Sequence, residues 1–212
     1  MKEQTKHFES YIQLLKNKVP LYSDMMNEAV MRYYYAISEC ESSEDVLMEV
    51  LISNHIEQSK ISFRRKDSQC KFDLYYKSKK EDVAIEFKYH RNAKNSRSCT
   101  ATKMGAVFSD LNRLSLLKCK KKFFIYIFDE YMKKYYKNNP KEEASIFLID
   151  ESINKTFSSS AFSMAGKEFH RVAFSGFEES IDFKRLNYSI KKLVAEGLDD
   201  KLYLVILEVS NL

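Results

Sequence analysis

Two short apolar runs, Phe72-Asp73-Leu74-Tyr75-Tyr76 and Val83-Ala84-Ile85-Glu86-Phe87-Lys88, constrain the fold of this chain more than any other stretch. Each reads as a strand, and the charged segment from Lys77 to Asp82 between them reads as a solvated turn. Residues two apart on a strand project to one face. Glu86 and Lys88 therefore point the same way, while Ile85 and Phe87 point into apolar packing. An acid and a lysine side by side on one strand, with the second acid Asp73 on its neighbour, can hold a divalent cation and activate a water. The bland reading is an ordinary strand pair with charges on its wet face.

An E-x-K triplet alone says little, because about one arises by chance in a chain this long. Context adds to it here: the triplet ends an apolar run, and Asp73 belongs to a preceding strand at hairpin distance. Asp182-Phe183-Lys184 matches D-x-K equally well as text. Around it Phe177, Ile181, Leu186, Ile190 and Leu193 recur with helical spacing. Residues two apart on a helix lie about 200° apart, so that match is set aside.

Asp73 followed by Glu86-x-Lys88 resembles the signature of the PD-(D/E)xK nuclease superfamily, with Phe72 in place of the nominal proline. The resemblance implies an α/β, restriction-endonuclease-like fold with a mixed central sheet flanked by helices. It also implies a metal site of Asp73, Glu86 and the Phe87 carbonyl, with Lys88 beside a metal-bound water. A helix before the first core strand often carries a further acid in this superfamily. A helix directly after the E-x-K strand is also its usual order. Several branches carry there a lysine and then an Asp-Leu-x-Arg-Leu run, as in Lys103 and Asp110 to Leu114.

The remaining composition bounds the function. A length of 212 residues fits one domain with a substantial core. Four glycines exclude a GxGxxG or Walker-type phosphate loop. No apolar run approaches the ~20 residues that span a bilayer, and the N-terminus does not read as a signal peptide. Cys40, Cys70, Cys99 and Cys119 are too far apart for a CxxC pair, and His7, His55, His90 and His170 show no ligand spacing. The cysteines read as free thiols of a cytoplasmic protein.

Along the chain, residues 3–18 and 22–38 read as two helices broken at Val19-Pro20, with Ser23-Asp24 capping the second. Met25, Met26, Ala29, Val30 and Tyr33 make its apolar stripe, for core packing or a dimer face. Residues 1–40 thus form a helical N-terminal extension to a single domain spanning 1–212. A third helix is expected from Ser43 to Glu57, buried through Leu47, Val50 and Leu51. Glu44 lies on its inward side and Glu49 opposite. Glu44 is thus the candidate for the extra acid, with Glu49 the alternative, although first-turn acids also serve simply to complement a helix dipole. Ile61 to Arg65 reads as a strand, Asn92 to Thr102 as a loop, and 103–114 as a helix. Phe123 to Phe128, Ala144 to Ile149 and Leu202 to Val209 read as buried strands, and Gly176 to Glu196 as a helix.

Lys88 to Lys122 holds ten lysines and arginines against one acid, Asp110. Arg91, Lys94, Arg97, Lys103 and Arg113 are the candidates to neutralise DNA phosphates, while Lys118 to Lys122 equally suits a solvated surface. His90 suits a phosphate contact or a polar rim. Tyr75, Tyr76 and Tyr89 suit base stacking or, more simply, the core. The expectation is a magnesium-dependent endonuclease, with manganese as the alternative ion. It would act on double-stranded DNA and leave 5′-phosphate ends, as a stand-alone restriction, mobile-element or repair enzyme whose two sites, one per strand, suit a homodimer. The competing expectation is a catalytically silent nuclease-fold module that binds nucleic acid or protein.

Overall fold

A computed structural model describes residues 8–39, 46–51, 71–77, 82–91, 100–138, 146–147, 154–158, 171–174 and 187–211. The chain begins with α1 (Glu9–Tyr22), a 3-10 turn (Ser23–Met25) and α2 (Glu28–Glu39). Tyr11, Leu15 and Val19 recur every four residues and bury one stripe of α1. Pro20 lies inside the last turns of α1 and does not end it, a correction to the expected break. The cap of α2 is Asn27, whose Oδ1 accepts the Val30 N–H at 3.0 Å, rather than Ser23-Asp24. Met26 of the expected stripe is buried and Val30 packs against the same core, but Met25, Ala29 and Tyr33 are exposed and Met31 and Tyr35 are buried instead, so the stripe is rotated in part from its expected place.

Seven strands follow: β1 (Val46–Leu51), β2 (Lys71–Lys77), β3 (Asp82–His90), β4 (Lys121–Asp129), β5 (Asn154–Ser158), β6 (Asn187–Gly197) and β7 (Leu202–Asn211). They form one mixed sheet in the order β1-β2-β3-β4-β7-β6-β5. Among the described residues only β3 and β4 pair in parallel. A parallel pair needs a long crossover, and α3 (Thr100–Ser115) supplies it; α4 (Glu130–Asn138) follows β4.

Side-chain alternation gives the sheet two covered faces. Ile85, Phe87, Phe123, Ile125 and Ile127 pack with α1 and α2. Ala84, Phe124, Tyr126 and Phe128 pack with α3 and α4. The helices expected as an N-terminal extension thus cover one face of the sheet. Burial on both faces is why β4 reads as an unbroken apolar run. Among the described residues no helix is long and apolar enough to cross a membrane.

Two expected helices are corrected. Val46–Leu51 is strand, paired antiparallel with β2. Its nearly continuous apolar sequence carries no clear period, so pairing with a neighbour decides its state. Residues 187–196 are also strand rather than helix. Tyr188 and Ile190 face the α3 side, but a register shift between Lys192 and Val194 turns Val194 to the other face. That bulge breaks the period of two and imitates helical spacing. Residues 176–186, including Asp182 and Lys184, lie outside the described residues, as do Ile61 to Arg65. Of the strand expected over 144–149, only 146–147 are described, in a 3-10 turn.

Candidate active site

The β2–β3 ladder pairs Lys77 with Asp82 and continues to Leu74 with Ile85. One residue further, side chains bridge the strands. The Asp73 N–H donates to Glu86 Oε2 at 3.2 Å, and the Phe87 N–H donates to Asp73 Oδ2 at 2.7 Å. On the outer side of β2 the register passes from Met48↔Leu74 to Val50↔Phe72. Glu49, between them, has φ 55°, a conformation that side-chain-bearing residues rarely adopt. The sheet is thus distorted around Asp73 on both of its edges.

Two helices bring charge to this point. From α2, Arg32 Nη1 donates to Asp73 Oδ1 at 3.0 Å and pairs with the Glu49 carboxylate. One turn earlier, Glu28 Oε1 accepts the Tyr89 N–H at 3.2 Å and lies 3.7 Å from Lys88 Nζ. From α3, Asp110 Oδ2 lies 2.7 Å from Lys88 Nζ. Arg113 pairs with Asp110 and reaches Glu86 Oε1 at 3.3 Å. Glu86 and Asp110 are buried, at 7% and 3% exposure.

Five carboxylates (Glu28, Glu49, Asp73, Glu86, Asp110) thus meet three cationic groups (Arg32, Lys88, Arg113), a surplus of two negative charges when all five are ionised. Burial pushes the Asp73 carboxyl up to about 6, only partly offset by the Phe87 N–H and by Arg32. Burial, and then the charges of Asp110 and Asp73, hold Glu86 well above the usual carboxylate range. For Lys88, burial works downward but is outweighed by Asp110 and Glu28, which keep it above its ordinary value. Burial, Lys88 and Lys103 push His90 down to about 3. It is neutral at physiological pH, with Nδ1 2.9 Å from the Tyr126 hydroxyl.

The structure brings together Asp73, Glu86 and Lys88. The Phe87 N–H is turned to Asp73. Glu44, Lys94 and Arg97 lie outside the described residues. Glu49 sits on a strand and reaches the cluster through Arg32, a correction to its place on a helix facing away. Arg91 is engaged with Asp24 at 2.6 Å and the Ser23 carbonyl at 3.0 Å. Arg113 is paired with Asp110 and Glu86. Lys103 is buried. Within the basic run Lys118 to Lys122, Lys122 is also buried, its Nζ donating to the Ser115 and Leu117 carbonyls. Tyr76 is buried and Tyr75 and Tyr89 pack against the two cores. Cys119 is a buried free thiol.

Glu28, Arg32 and the role of Asp110 escaped the sequence reading. Their available signals were local: an acid and an arginine four apart on α2, and another such pair three apart on α3. Among the described residues, no group of three or more histidine, cysteine or acidic side chains converges as a ready-made metal cage. The class that fold and site define is an α/β protein with a seven-stranded mixed sheet and a half-buried charged cluster at its β2–β3 splay. Compared with known proteins, the chain has no significant match to a family model, a curated protein or a solved structure.

Proposed function

We propose that this chain is a magnesium-dependent DNA endonuclease of the restriction-endonuclease-like kind. The observation that carries the reading is the cross-bridging of Asp73 and Glu86 between β2 and β3, beside Lys88 and with negative charge in surplus. The residues fit a magnesium ion in charge and donor chemistry. Two hard carboxylates suffice for an ion that keeps several waters, and a dication matches the surplus. Asp73 and Glu86 would hold it, with α2, the helix before β1, offering Glu28 as the further acid. When bound, the ion supplies Lewis-acid charge compensation and lowers the pKa of a bound water.

The chemistry is attack of water on phosphorus with cleavage of the bond to O3′, leaving a 5′-phosphate and a 3′-hydroxyl. Lys88, held between Asp110 and Glu28, stays charged, offsets the anionic charge on the attacked phosphate and orients the water. A charged lysine takes no proton, so Lys88 orients the water without acting as its base. Arg32 and Arg113 hold the outer carboxylate oxygens in position.

Incubation with supercoiled plasmid tests the reading. Nicking or linearisation is expected with magnesium, none with EDTA, and none for Asp73→Ala. Lys88→Ala should lose cleavage while keeping most DNA binding; cleavage at the parent rate would remove Lys88 from the mechanism. One observation favours the silent-module reading: Arg32 and Arg113 already occupy an oxygen of each key carboxylate. In that case magnesium would show no carboxylate-dependent binding.

A further inference from the structure

Along the seam between β3 and α3, charges are matched rung by rung. Glu86 meets Arg113 and Lys88 meets Asp110, so moving toward the C-terminal end of β3 means moving toward the N-terminus of α3. Seven residues before Asp110 comes Lys103. At about 100° per residue it lies on the same side of the helix, about 10 Å further along the axis. His90, two residues beyond Lys88, feels the positive charge of both Lys88 and Lys103.

Among the described residues no acid completes this rung. Lys103 is 8% exposed, and its Nζ is sealed from solvent with no hydrogen-bond partner among the described residues. His90 beside it has Nδ1 at the Tyr126 hydroxyl, and no hydrogen bond joins its ring to Lys103 Nζ. A buried ammonium with no partner is expensive, and such groups are normally paired. Lys103 also lies in the first turn of a 16-residue helix, where free N–H groups and the helix dipole favour an anion.

We propose that Lys103, in the first turn of α3 beside His90, holds one backbone phosphate of the bound DNA, a phosphate flanking the scissile one. This rests on the nuclease reading and deepens it. The distance along α3 separates Lys103 from the Lys88 site, so the two lysines serve different phosphates. The four-carbon stem lets the ammonium turn from the interior toward an incoming anion. Lys88, already matched by Asp110, is left to the reaction itself.

Lys103→Met keeps the length of the side chain and removes the charge. The variant is expected to melt at or above the parent temperature, because an unpaired buried charge is gone. Inorganic phosphate should raise the melting temperature of the parent and leave that of the variant unchanged. Affinity for duplex DNA should fall about tenfold, and the slope of log affinity against log salt should shrink by about one. Lys103→Arg should recover part of both. Equal phosphate response and equal salt slope in parent and Lys103→Met would overturn the subsite, even if the parent cuts plasmid. Failure of Lys103→Met to fold would also overturn it, by making the charge structural. A phosphate response that depends on Lys103, in a parent that cuts no DNA, would keep the anion subsite and remove the nuclease reading.

Discussion

β3 and β4 lie side by side in parallel register, with Glu86 beside Phe124 and Lys88 beside Tyr126. All four side chains project toward α3, yet one strand carries charge and the other aromatic rings. On β4, Phe124, Tyr126 and Phe128 pack against one another and against Tyr136 and Phe147. On β3, Glu86 and Lys88 each require an opposite charge from α3 to be accommodated. The environment therefore accepts apolar residues at this depth, and the fold does not demand charge there. Buried ion pairs are often no better for stability than well-packed apolar side chains. The β3 charges thus cost stability that apolar side chains would not, a cost that pairing with α3 reduces and that the proposed function would explain.

Activity should change most. Asp73→Ala or Glu86→Ala should lower plasmid cleavage on the order of 1,000-fold or more, with the near-ultraviolet circular dichroism unchanged. Parent-like cutting by either would place the chemistry elsewhere. On the apolar strand the effect should fall on stability instead. Phe124→Ala should cost about 3–5 kcal/mol in urea unfolding.

Asp110→Ala should cost about 2–4 kcal/mol, because it leaves Lys88 and Arg113 without their shared acid. Making the seam resemble β4, with leucine at 86, 88, 110 and 113 together, should recover most of that loss and abolish activity. A quadruple variant less stable than Asp110→Ala would show that the charges are required by the fold.

A pH series gives the smallest effect. The Asp73 carboxyl is raised from 3.8 to about 6 by burial, so the folded chain holds its proton more tightly than the unfolded chain. Its contribution to stability is present below about pH 4 and is lost as pH rises to about 6, by about 2–3 kcal/mol. The difference in unfolding free energy between parent and Asp73→Asn isolates it from other groups. That difference should move against the parent across this window, and magnesium should reverse it. A difference independent of pH would mean that Asp73 is not shifted.

The β2–β3 hairpin was legible because two alternating apolar runs flank a charged turn, and Asp73, Glu86 and Lys88 stood out with it. β1 was not, since Val46 to Leu51 offers an apolar run without a period, and partner choice settles its state. β6 hid behind its bulge at Lys192 and Val194. Glu28 and Arg32 could be placed on a helix from sequence, but not beside Tyr89 and Asp73, 61 and 41 positions away. Which face of α2 meets the sheet depends on packing between distant segments, and no local pattern encodes it.

Asp73 and Glu86 as shared ligands of one divalent ion can be observed in solution. Titration of the purified chain with manganese, followed by electron paramagnetic resonance, should show one site per chain that magnesium displaces. The site should vanish in Asp73→Ala and in Glu86→Ala, and persist in Lys88→Met. Manganese binding that survives both alanine substitutions, or a folded parent that binds none, would contradict it.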